Sequence, residues 1–81
     1  MQDSPYHTTD FWLAAVLVSL GYDIKIKKQE NTTKCTFFFN PTDQLRNSVK
    51  KYWAEALLVE PIKLAHSHRY LKNRMISGAY D

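Results

Sequence analysis

"YDIKIKKQENTTKCTFFF", residues 22–39, is the stretch that decides the fold. Its first half alternates: Tyr22, Ile24 and Ile26 fall on one side, Asp23, Lys25 and Lys27 on the other. That period of two belongs to a half-buried strand. "ENTT" at 30–33 supplies turn formers, and "KCTFFF" follows as a second strand, so the segment predicts a hairpin. With Cys35, Phe37 and Phe39 turned to the core, Thr36 and Phe38 share the outer face with the lysines.

Toward the N-terminus, "FWLAAVLVSL" at 11–20 predicts a helix. Thr8 or Thr9 can cap it, Asp10 in its first turn favours the helix dipole, and Gly21 is a natural left-handed stop. The helix is apolar on almost every side, which predicts a central position or cover by a second chain, a homodimer through this helix. Residues 1–7 read as a flexible N-terminal segment.

Toward the C-terminus, "NPTDQL" starts a second helix with Asn40 or Thr42 as cap. Leu45, Val49, Tyr52 and Ala56 make one stripe, with Arg46, Lys50 and Lys51 off it. Tyr52 and Trp53 both read as core, Trp53 being the better interface anchor of the two. "ALLVE" at 56–60 predicts a short third strand, and Pro61 suits the first turn of a last helix. The order is α-β-β-α-(β)-α, an α+β fold in which a small antiparallel hairpin or three-stranded sheet is packed by helices. Residues 1–81 form a single domain.

The chain's size allows one modest core: 81 residues bury only about 60–65% of the surface that the unfolded chain exposes. A hydrophobic content of 44% gives it enough apolar surface to fold. The apolar run at 11–20 is too short to span a bilayer, and the acidic residues before it are wrong for a secretory signal. A single cysteine, Cys35, cannot form an intramolecular disulfide and points to a reducing compartment.

Charge is unevenly placed. All 11 Lys and Arg lie beyond Ile24, where they face five acids, a balance of +6. The C-terminal two-thirds could therefore meet a polyanion, whereas the N-terminal third is suited to packing.

"LAHSHRYLKNRM", residues 64–75, tests this reading. On a helix, Leu64, Leu71 and Met75 share a stripe, His68 lies at its edge, and His66 points about 160° away. A helical metal pair needs i,i+4 spacing, so H-x-H predicts no metal site. No carboxylate pair or phosphate loop is present, Ser67 has no acid to orient a base, and Cys35 faces the core. No enzyme and no cofactor are expected.

Two basic faces remain. On the last helix, His66, Tyr70 and Asn73 form an outward strip flanked by Lys63, Arg69 and Arg74. On the hairpin, Lys25, Lys27 and Lys34 surround Thr36 and Phe38. Cations beside an exposed ring suit single-stranded nucleic acid, with phosphates on the ammonium groups and a base on the ring; Tyr70 could also touch a duplex backbone. The plainer reading is a solvated surface, because edge lysines discourage strand pairing and a basic last turn suits the helix dipole.

The pattern also resembles a small uncharacterised domain family found as free-standing proteins in phages and integrated mobile elements. The resemblance rests on "TTDFWLAAVLVSLGY" (8–22), "FFF" (37–39), "YW" (52–53), "VEP" (59–61) and "LKNRM" (71–75). "HSHR" at 66–69 departs from it, standing where plainer polar residues are expected. The resemblance implies the cytoplasm of a bacterial host and a small protein acting by binding, with no catalytic residues. The favoured partner is nucleic acid or a nucleoprotein complex. The alternatives are an inhibitor of a host defence complex, anti-CRISPR-like, or an oligomeric structural protein. Strong mimicry of DNA does not fit a net charge of +3.

Overall fold

A computed structural model describes residues 5–29 and 34–78. The elements are β1 (Tyr6–Thr8), α1 (Phe11–Ser19), β2 (Ile24–Lys28), β3 (Cys35–Phe39), α2 (Asp43–Trp53) and α3 (Pro61–Ser77). The class is α+β as expected, with three helices and a three-stranded antiparallel sheet in the order β1-β3-β2. The turn expected at 30–33 lies outside the described residues, but the two strands that flank it pair in the register of a hairpin, Lys27 against Thr36 and Lys25 against Phe38.

The third strand is not where "ALLVE" predicts it. It is β1, from the segment read as flexible, and it pairs Tyr6, His7 and Thr8 with Phe39, Phe38 and Phe37. This places the aromatic strand β3 in the middle and closes an edge that would otherwise offer unpaired backbone groups. Residues 1–4 of the expected flexible segment lie outside the described residues.

Each helix start has a side-chain acceptor. At α1 it is Asp10, which accepts from the Leu13 amide at 3.1 Å, while Thr8 Oγ1 accepts from the Asp10 amide. Asp10 is thus the cap and Thr8 its support, in place of the threonine cap expected. Thr42 Oγ1 caps α2 through the Leu45 amide at 3.0 Å. Pro61 opens α3 at its first turn, and Glu60 caps it. The stops are left-handed: Gly21 at φ 99° follows α1, and Gly78 at φ 74° follows α3.

Helix α2 ends sooner than its apolar stripe predicts. Glu55 takes φ 58°, and the Ala56 amide donates back to the Lys51 carbonyl at 2.9 Å. Ala56 is therefore exposed beyond the helix, and the stretch to Glu60 is loop. Trp53 is 62% exposed rather than core, whereas Tyr52 packs against the core as expected.

Leu13, Ala14, Ala15 and Leu17 of α1 are buried with Ile26, Phe37 and Phe39 of the sheet, Leu45 of α2 and Leu71 of α3. Helix α1 packs against both other helices, which covers Leu13 to Leu17, while Trp12 at its start stays 54% exposed. The Cα envelope, 38 × 34 × 18 Å, is that of one sheet and one helical layer. Burial, and secondly the Asp10 carboxylate, holds the Tyr6 and Tyr52 phenols above their usual range. Among the described residues no helix is long and apolar enough to cross a membrane.

Candidate nucleic-acid interface

The alternation that builds the hairpin also builds a surface. Ile26, Phe37 and Phe39 point into the helical layer, so Lys25, Lys27, Thr36 and Phe38 must point away from it. Lys25 and Lys27 on this outer face are exposed, and Thr36 is partly so. Phe38 is half-buried at its centre. His7 of β1 and Lys25 of β2 stand opposite Phe38 on its two sides, and Lys27 reaches it diagonally.

The contacts are close. The His7 and Phe38 ring centroids are 5.9 Å apart, tilted by 38°. Lys27 Nζ is 5.5 Å from the Phe38 centroid. A shallow concavity of about 530 Å³ adjoins the ring, lined also by Lys25, Asn40 and Pro41. Lys34 is exposed and lies in the outward register of Thr36 and Phe38, and its carbonyl accepts from the Gln29 amide at 2.9 Å. The structure therefore brings Lys25, Lys27, Lys34 and Phe38 to one face and adds His7. No sequence signal marked His7, because a three-residue strand is too short to show alternation.

The last helix divides its residues between two surfaces. His66 and Tyr70 border a second concavity, about 620 Å³, with Tyr22, Asp23 and Ile24 at its other wall. Asp23 and Ile24 line both concavities, so the sheet face and this strip meet at the start of β2. Arg74 lies one turn beyond Tyr70, its guanidinium 5.6 Å from the ring centroid and donating to the phenol oxygen at 3.1 Å. Lys63 is exposed one turn before His66. Arg69 departs from this strip. It lies in a groove with Trp12 and Lys72.

The two histidines point apart, as H-x-H on a helix requires. His68 packs edge-on to Phe11 at 4.8 Å and against Trp12 at 4.6 Å, while His66 is exposed. Among the described residues no three His, Cys, Asp or Glu side chains converge on a metal position. Cys35 is buried in the core face of β3.

At the start of α3, the Glu60 carboxylate accepts from the Lys63 amide at 2.6 Å. The amides of Lys63 and then Ile62, followed by the charges of Lys63 and His66, hold it below the usual carboxylate range. This acid is engaged at the helix end, although it sits close to the basic strip.

The arrangement presents a ring, flexible ammonium groups and an imidazole on the outer face of the sheet. No curated protein matches the chain, and no solved structure matches it. Residues 3–77 match the family of the domain of unknown function DUF5659, and the chain belongs to that family.

Proposed function

We propose that this protein acts without catalysis, as a binder of single-stranded nucleic acid through the outer face of its sheet. The observation that carries the reading is the position of Phe38 on the outer face of the middle strand, partly open, beside His7 and Lys27 and opposite Lys25. Every base has a π-face, so a ring on an open sheet binds a strand with little regard to sequence. Lys25, Lys27 and Lys34 supply the counterion release that gives affinity for phosphates. A duplex buries its bases and could use only the ammonium groups, so a single strand is preferred.

The strip of His66, Tyr70 and Arg74 extends the surface for a longer strand, reached past Asp23 at the edge of β2. Asp23 repels phosphate there, so the sheet face carries most of the affinity. The resemblance to proteins of phages and mobile elements, together with the lone cysteine, supports the cytoplasm of a bacterial host as the setting.

Amide chemical shifts of isotope-labelled protein, followed during titration with a single-stranded oligonucleotide, test the assignment. Shifts centred on His7, Lys25, Lys27, Thr36 and Phe38 are expected. Shifts confined to the helical layer would remove the sheet face as the site.

A further inference from the structure

Helices α1 and α3 pack side by side and leave a groove near the start of α1. Trp12 forms one wall and is 54% exposed. Its ring is nevertheless held in place, because His68 lies 4.6 Å away and is itself set edge-on to Phe11. A large ring fixed in advance loses little freedom when a partner covers it, which is what an interface anchor requires.

The other wall is α3. Pro61, Leu64 and Ala65 give it an aliphatic floor, and Arg69 and Lys72 follow at the next turns, around a volume of about 520 Å³. Among the described residues no Asp or Glu lines the groove. The acids at the two helix starts, Asp10 and Glu60, are engaged as caps. Ile62, beside Pro61 in the first turn of α3, adds apolar surface at 63% exposure. The groove thus has an apolar end and a cationic end.

We propose that this groove docks an acidic amphipathic segment of a partner protein. An apolar side chain of that segment packs on Trp12, Leu64 and Ala65, and its carboxylates pair with Arg69 and Lys72. Charge complementarity selects this occupant. A second copy of the chain would bring a net charge of +3 to a cationic groove. A nucleic acid would find phosphate partners but an aliphatic floor with nothing to hydrogen-bond a base, and His68 already stands against the Trp12 ring. The site uses none of the residues of the sheet face, so the two surfaces could be occupied together and a third molecule bridged.

Selection from a random peptide library against the immobilised whole protein tests this, followed by amide and indole chemical-shift mapping with the enriched peptides. The expected peptides combine Asp or Glu with apolar residues at i,i+3 or i,i+4 spacing and move the Trp12 indole and Ala65 signals. Ala65→Arg, at an exposed helical position, is expected to weaken them at least tenfold without unfolding the protein. Arg69→Glu with Lys72→Glu is expected to abolish the preference for acidic peptides while apolar contact persists. No enrichment, peptides without acids, or shifts away from the groove would overturn the proposal. So would movement of the Trp12 indole by an oligonucleotide instead, or a doubled mass at micromolar concentration that Ala65→Arg abolishes.

Discussion

Lys27 Nζ lies 5.5 Å from the centroid of the Phe38 ring, across a diagonal of the β2–β3 pair. A cation over a ring near the surface contributes about 0.5–1 kcal/mol. A base stacked on the same ring contributes about 1–3 kcal/mol. Stacking is the stronger of the two, so in the proposed complex a base would displace the ammonium, which would then meet the adjoining phosphate. Cation and ring therefore do separable work, and the first two predictions separate them.

Phe38→Ala is expected to weaken binding to a single-stranded oligonucleotide roughly 5- to 160-fold, the equivalent of one lost stack. The dependence on salt should stay as it was, because no charge has changed. Tyr70→Ala should cost less, since Tyr70 is engaged with Arg74 and lies past Asp23. Titrations of the three proteins at matched salt check this.

Lys27→Met keeps the apolar stem beside Phe38 and removes the charge. The slope of log affinity against log salt should fall by about 0.7, the share of one phosphate contact on a single strand. An unchanged slope would place Lys27 outside the phosphate path.

Neighbouring phenylalanines should differ sharply in their effect on stability. Phe37 is 1% exposed among Phe11, Leu13 and Leu17, so Phe37→Ala should cost about 3–5 kcal/mol. That is much of the total of about 5–10 kcal/mol available to a small domain. Phe38→Ala, on the outer face, should leave most of the stability in place. Urea denaturation of both variants decides whether the alternation has been assigned to the right faces.

That alternation was legible in the sequence, as was the outward set of Lys25, Lys27, Thr36 and Phe38. Repeated side-chain types state a strand's two faces directly. Strand β1 was not legible, because Tyr6–Thr8 is three residues long and is a strand only through pairing with Phe37, Phe38 and Phe39, about 30 residues away. Its absence hid His7 as a neighbour of Phe38. Arg69 was misplaced for a related reason: helical periodicity says which residues share a side but not which helix stands opposite. Trp12 looked like any apolar residue of a buried helix, and only the packing of α3 shows that half of it stays open.

The end of α2 yields a prediction of its own. Glu55 adopts φ 58° with nothing but a charged side chain at a position that favours glycine, which is why "WAEAL" showed no stop. Glu55→Gly should stabilise the protein by about 0.5–1 kcal/mol, the relief of left-handed strain less the entropy that glycine adds to the unfolded chain. A thermal melt measures it. A loss of stability would show that Glu55 has a partner worth more than the strain.

Glu60 links stability to pH. Hydrogen bonds from the Lys63 and Ile62 amides lower its folded pKa, so its contribution is present above the unfolded value of 4.5. It is lost as pH falls through the lower, folded value. Glu60→Gln should therefore be less stable than the parent at neutral pH, and the gap should narrow as pH falls below 4.5 and through the lower, folded value. A gap constant across that range would mean that the charged form of the cap contributes nothing.

The most direct measurement is fluorescence anisotropy of a labelled single-stranded oligonucleotide and its duplex, titrated with the protein at two salt concentrations. Phosphate contacts from Lys25, Lys27 and Lys34 give an expected slope near −2, a loss of roughly 20-fold between about 50 and 200 mM salt. The single strand should bind more tightly than the duplex, and Phe38→Ala should remove that preference. An absence of binding at the lower salt, or a duplex preference that Phe38→Ala leaves intact, would contradict the assignment of the sheet face to single-stranded nucleic acid.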